Sequence, residues 1–92
     1  MELEFKQTCA ICPEQYDVFY NEKMVAYIRL RWGRLTVECP DIRGKLVFHH
    51  QFKDGWKGGF DSEEERKDYL EIIKKVIESH INGTAKQKLG EE

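Results

Sequence analysis

Cys9 and Cys12 in "CAICP" stand at the spacing with which a zinc knuckle offers two thiolates to one ion. Cys39, His49 and His50 are the further soft or borderline ligands that would have to complete such a site. "LVFHHQF" (46–52) reads as a strand, so His49 and His50 point to opposite faces and cannot act as a pair. In the strand register argued below, Cys9, Cys12 and His50 converge near one end of a sheet. Cys39 lies at the other end, roughly 15–20 Å away at about 3.3 Å per residue. The set Cys9, Cys12 and His50 is one ligand short, and the competing expectation is a metal-free chain in which these groups are thiols and half-buried imidazoles. The expectation is no cofactor, with zinc as the alternative. A redox CxxC normally opens a helix beside a parallel sheet, whereas Pro13 leads into a strand here.

Other catalytic chemistry finds little to work with. "DGWKGGFDS" precedes a helix start and could offer N–H groups to a phosphate, but Asp61, Glu63, Glu64 and Glu65 crowd that terminus and repel anions. The Lys-Ser/Thr of a P-loop and the glycine spacing of a dinucleotide fold are absent. Carboxylates on a solvated helix end serve capping and solubility, because acid–base work requires burial to shift a pKa. No Ser-His-Asp arrangement can be drawn, and an enzyme is not expected.

Recognition is a better match to "YIRLRWGRLTVECPD" (27–41), which sets Arg29, Arg31 and Arg34 around Trp32-Gly33, with Tyr27 and Glu38 nearby. Arg, Tyr and Trp are the residue types that anchor interfaces, so Tyr27, Arg29, Arg31, Trp32, Arg34 and Glu38 are the candidate partner-binding residues. With Arg43 they could instead contact phosphates while Tyr27 stacks on a base. The bland reading is an ordinary exposed sheet face, in which long side chains cover a flat surface and Asp17 and Glu38 act as local partners.

The elements that must position these residues follow from periodicity. "YDVFY" and "MVAYIRLR" are rich in strand formers and are joined by the polar "NEK", which predicts a hairpin. In the second strand Met24, Ala26, Ile28, Leu30 and Trp32 share the core face, while Val25, Tyr27, Arg29 and Arg31 share the other. A two-residue Trp32-Gly33 turn then pairs Leu30 with Leu35, Ile28 with Val37, Ala26 with Cys39, Tyr27 with Glu38 and Arg29 with Thr36. The first hairpin has two solutions. A two-residue turn pairs Phe19 with Met24 but sends Asp17 inward, and a three-residue turn sends Tyr16, Val18 and Tyr20 inward.

After the loop "PDIRGK", a fourth strand brings Leu46 and Phe48 to the core, and "DSEEERKDYLEIIKKVIESHING" follows as an amphipathic helix. Tyr69, Ile72, Ile73, Val76, Ile77 and His80 form its stripe. Ser62 with Glu65, or Asp61 with Glu64, caps its start, Asn82-Gly83 supplies a left-handed stop, and Trp56 pins the preceding loop to the core. The expected fold class is α+β: a four-stranded antiparallel β-meander with one long C-terminal α-helix packed on one face (ββββα). Residues 1–15 form an irregular amino-terminal segment, 16–82 a single α+β domain, and 83–92 a flexible tail.

Bulk properties agree with one small domain. A 92-residue chain buries only about 60 to 65% of its unfolded surface, which argues against a deep internal site. With 40% hydrophobic and 35% charged residues the chain should fold, and it contains neither a membrane-length apolar run nor a signal-peptide pattern, so a cytoplasmic protein is expected. Three cysteines are then expected to stay reduced. The net charge of −2 conceals a segregation: residues 22–58 hold eight basic and four acidic groups, and residues 60–71 hold six acidic and two basic. An exposed edge strand leaves a homodimer open.

"YNEKMVAYIRLRWGRLTVECPD" followed by "GGFDSEEERKDYL" resembles small, uncharacterised proteins encoded by bacteriophages and prophages, over residues 16 to about 80. Glu22 stands where that group often has a turn glycine, and Ala26 where it has a strand glycine. The resemblance implies a genetic context and no particular site. Small phage proteins commonly act by binding, and some, such as anti-CRISPR and other counter-defence proteins, inhibit host machinery stoichiometrically. The expected function is therefore a non-enzymatic phage-type accessory protein that binds a host protein or ribonucleoprotein in the bacterial cytoplasm. The alternative is a zinc-stabilised nucleic-acid-binding module.

Overall fold

The computed structural model describes residues 2–9, 13–41 and 44–90, the stretch 84–90 by its backbone alone. It is an α+β structure with strands β1 (Glu4–Cys9), β2 (Glu14–Tyr20), β3 (Lys23–Arg31), β4 (Arg34–Cys39) and β5 (Lys45–Gln51), followed by helix α1 (Glu63–Gly90). The strands form one antiparallel sheet in the order β1-β2-β3-β4-β5.

The fifth strand corrects the expected four. "EFKQTC" has one large apolar residue, Phe5, which faces Val18 across the β1–β2 ladder. A polar edge strand of this kind is held by backbone pairing and carries almost no hydrophobic pattern. The amino-terminal segment is thus part of the sheet, and β2 begins two residues earlier than expected.

The β3–β4 hairpin has the expected register, with Tyr27 opposite Glu38, Ile28 opposite Val37, Arg29 opposite Thr36 and Leu30 opposite Leu35. Its turn residues Trp32 and Gly33 have φ of 55° and 72°, the type I′ pattern that matches strand twist. The β2–β3 hairpin combines the two alternatives. Asn21 and Glu22, also at positive φ, make a two-residue turn that pairs Phe19 with Met24. A bulge at Val25 then advances the register, so Val18 meets Ala26 and Tyr16 meets Ile28. Tyr16 and Val18 enter the core while Asp17 pairs with Tyr27 on the other face. Met24, expected in the core, leaves it with Phe19. A second bulge, at Val47, does the same to Leu46, which pairs with Glu38 and is exposed instead of buried.

Val18, Ala26, Ile28, Leu30, Leu35 and Val37 are buried on the face that receives Ile73 and Ile77 of α1, with Tyr69, Leu70 and Ile81 packed at the margins. Each fully buried Ile or Leu contributes about 1.5–3 kcal/mol, so this stripe supplies most of the driving force. Ile72 lies off the stripe and is exposed. Of the two capping options, Ser62 and Glu65 are used: Glu65 N–H donates to Ser62 Oγ at 3.0 Å, and Glu65 Oε1 accepts from Asp61 N–H at 2.9 Å. At the other end the helix continues through Asn82-Gly83, neither of which takes the left-handed conformation expected of a stop.

A buried carboxylate fastens α1 to the sheet. Glu14, 1% exposed, accepts at Oε2 from the Tyr16 hydroxyl and from Arg66 Nε at 2.7 Å. Its Oε1 accepts from Phe60 N–H at 3.1 Å and from Arg66 Nη2 at 3.2 Å. Burial alone would raise its pKa, but the bonds from Arg66, Tyr16 and Phe60 outweigh it and hold the carboxyl below its ordinary value. Burial and the neighbouring carboxylate push the Tyr16 phenol up.

Candidate functional site

The face of the sheet opposite α1 is built in rows that the ladders fix. Nearest the β3–β4 turn, Arg31, Arg34 and Gln51 lie side by side. The next row carries Cys9, Gln15, Arg29, Thr36 and His49, and the third Lys6, Asp17, Tyr27, Glu38 and Leu46. Arg29, Arg31, Thr36, Glu38, Leu46 and Gln51 line a shallow depression on this face, with Trp32 and Arg34 at its turn end.

The six expected partner-binding residues therefore share a face or its rim, but they differ in state. Arg29, Arg31 and Arg34 are exposed, and among the described residues none of them forms an ion pair. Glu38 is half-buried, and Tyr27 is only 7% exposed. Burial, with smaller contributions from Asp17, Glu38 and Cys9 against Arg29, raises the Tyr27 pKa, so this ring is a floor for the face and not a free stacking platform.

Trp32 was expected to point to the core and instead is 57% exposed. The alternation ends at Arg31, because the next residue is the first of the turn and no longer obeys a period of two. Trp56, expected to pin its loop to the core, is 79% exposed. The two indoles meet edge to face, with centroids 5.4 Å apart, and the Arg31 guanidinium sits 5.7 Å from the Trp32 ring centroid.

Segment 52–60 holds Trp56 in that place. Gly33 N–H donates to Lys57 O and Phe52 N–H to Gly33 O, both at 2.8 Å, and Gln51 Nε2 donates to Gly33 O at 3.1 Å. Within the segment, Trp56 N–H donates to Asp54 Oδ1 at 2.9 Å. The strand hairpin and this loop touch so closely that a Cβ on Gly33 would lie 2.4 Å from Asp54 O. Lys57 and Phe60, not Trp56, are the buried anchors of the loop. Lys57 Nζ reaches Asp61 at 2.8 Å and Glu65 at 2.9 Å, and although burial opposes its charge, these carboxylates raise its pKa.

The proposed metal ligands are not gathered. Cys9 is on the open face of edge strand β1, whereas His50 is on the helix face of the opposite edge strand β5, packed against Phe52 and Tyr69. Four inter-strand steps of about 4.8 Å put them roughly 19 Å apart. Cys12, like Arg43, lies outside the described residues. Cys39 is buried, and burial raises its thiol to about 11. His49 and His50 take opposite faces, as strand geometry requires. Among the described residues no helix is long and apolar enough to cross a membrane.

Sequence reasoning missed Glu14 and Trp56. Glu14 stands next to Pro13 in a segment read as irregular, and nothing local marks it as buried. Trp56 sits in a loop whose path is set by the hairpin it wraps. Comparison with protein-family models, with curated proteins and with solved structures returns no match for this chain.

Proposed function

We propose that this chain is a small non-enzymatic binding protein of the phage-accessory type. It engages a host macromolecule, protein or ribonucleoprotein, through the Arg/Trp end of its open sheet face, and a counter-defence inhibitor is the role this mode of action suits. The observation that carries the reading is Trp32. A bulky residue at φ 55° costs about 1–2 kcal/mol relative to the Asn or Gly that such a turn favours. The residue stays 57% exposed, so burial returns little of that cost. Stability given up at an exposed aromatic, beside three arginines that form no ion pair among the described residues, favours recognition.

The acidic start of α1 is a weaker contact surface, because three of its carboxylates are already paired within the chain. Glu63 pairs with Arg66, and Asp61 and Glu65 pair with Lys57. The zinc-stabilised alternative draws no support from Cys9 and His50, which stand on opposite edges of the sheet. The test is affinity capture from a bacterial host lysate with wild type, an Arg29→Ala/Arg31→Ala/Trp32→Ala variant, and a Glu63→Lys/Glu64→Lys variant, all checked for fold by circular dichroism. Partners lost only with the first variant support the sheet face. Partners retained by it rule that face out.

A further inference from the structure

We infer that the Arg/Trp end of the open face binds single-stranded nucleic acid, an inference that rests on the sheet-face reading and names the chemistry it would recognise. Arg31 and Arg34 are direct cross-strand neighbours, an arrangement of like charges that weakens a hairpin when nothing lies between them. Arg29 follows two residues along β3, about 6.7 Å further, a step that successive phosphates of an extended strand can match. All three are exposed, with no ion-pair partner among the described residues. A polyanion is the occupant that converts this unneutralised row into favourable contacts, through release of its condensed counterions.

The tryptophans decide between kinds of polyanion. Trp32 and Trp56 meet edge to face, so the Trp56 ring keeps open surface, and it is 79% exposed at the margin of the arginine row. Exposed rings beside a basic row suit unpaired bases, which stack on aromatic faces irrespective of sequence. Paired bases inside a duplex cannot reach them. The net charge of −2 does not oppose this. The acidic groups Asp61, Glu63 and Glu65 are each bonded to Lys57 or Arg66, at the helix start and not on the arginine row.

Both tryptophans of the chain lie in this patch, so intrinsic fluorescence reads it directly. The full-length protein is titrated with an oligothymidylate of about 10 nucleotides, and a fluorescein-labelled copy is followed by anisotropy. The expected result is quenching, with a slope of log K against log salt near −2, from about 0.7 per phosphate over three arginines. This amounts to about a 20-fold loss of affinity between about 50 and 200 mM salt. Trp56→Ala should weaken binding by about 5- to 150-fold, and Arg34→Ala should reduce the slope by about 0.7. Absence of binding at about 50 mM salt overturns the inference. So does a slope indifferent to the arginines, or polyglutamate binding more tightly than the oligonucleotide, which would assign the patch to an acidic protein surface. If the oligonucleotide fails while the Arg29/Arg31/Trp32 variant still loses its captured partner, the sheet-face function stands and only the nucleic-acid assignment falls.

Discussion

Replacing Glu14 by Ala removes in one step the acceptor of the Tyr16 hydroxyl, the Phe60 N–H and two nitrogens of Arg66. Breaking a buried ion pair by deleting one partner costs about 3–5 kcal/mol. Here Arg66 is 23% exposed and retains Glu63, so it can partly rehydrate, and the lower end, about 3 kcal/mol, is expected. At about 0.05–0.15 kcal/mol per residue the whole domain is stable by roughly 5–14 kcal/mol, so the loss is a large fraction of the total. Urea unfolding should be followed by far-ultraviolet circular dichroism, because the tryptophans are exposed and report poorly on the core. With a slope of about 1–1.5 kcal/mol per molar urea, the midpoint should fall by about 2–3 M. The pH dependence supplies a second reading. The folded-state pKa of Glu14 is depressed, so its contribution is complete above the unfolded value near 4.5 and is lost as pH falls through the lower folded value. Wild type should therefore lose stability below about pH 4.5 more steeply than Glu14→Gln. A loss under about 1 kcal/mol for Glu14→Ala, or identical acid limbs, would refute the view that this carboxylate fastens the helix to the sheet.

Three further outcomes follow from the turn, the indoles and the buried thiol. Gly33→Ala combines a positive φ with a 2.4 Å approach to Asp54 O, so it should cost more than about 2 kcal/mol in the same urea assay and should expose segment 52–60 to limited proteolysis. Trp32→Asn should leave thermal stability unchanged or raise it by up to about 1 kcal/mol, since relief of the left-handed strain is set against loss of the indole pair. A cost above about 2 kcal/mol would make Trp32 a structural residue and remove the argument for recognition. Cys39, buried and with its pKa raised to about 11, should resist alkylation at pH 8 in the native protein and react once urea unfolds it, as peptide mapping by mass spectrometry would show.

The β3–β4 hairpin was legible because pattern and turn chemistry agree there: Ile28, Leu30, Leu35 and Val37 alternate on both sides of a glycine-containing turn. The first hairpin was half legible. Its two-residue turn and its inward Tyr16 and Val18 each appeared in one alternative, and only the Val25 bulge lets both be true. Bulges leave no mark in a two-residue period, and for the same reason Leu46 was assigned to the wrong face. β1 escaped notice because backbone pairing, which any polar sequence can make, holds it in place. For the candidate surface, the arginines could be placed from their register alone. The state of each aromatic could not, since Tyr27 is buried by neighbours on adjacent strands and Trp56 is positioned by contacts with a turn more than 20 residues earlier.

The bulge at Val25 also governs how this chain can change over time. Substituting that residue alters one half-buried side chain. Drawing it into the ladder while keeping the Asn21-Glu22 turn would set Val18 opposite Val25 and Asp17 opposite Ala26, which reverses the parity of β2 and carries Asp17 inward and Tyr16 and Val18 outward. Losing Val25 would leave the Val18–Ala26 and Tyr16–Ile28 pairs in place at the cost of a side chain packed against the core, so the hairpin keeps its reading frame by holding this one residue out of the ladder.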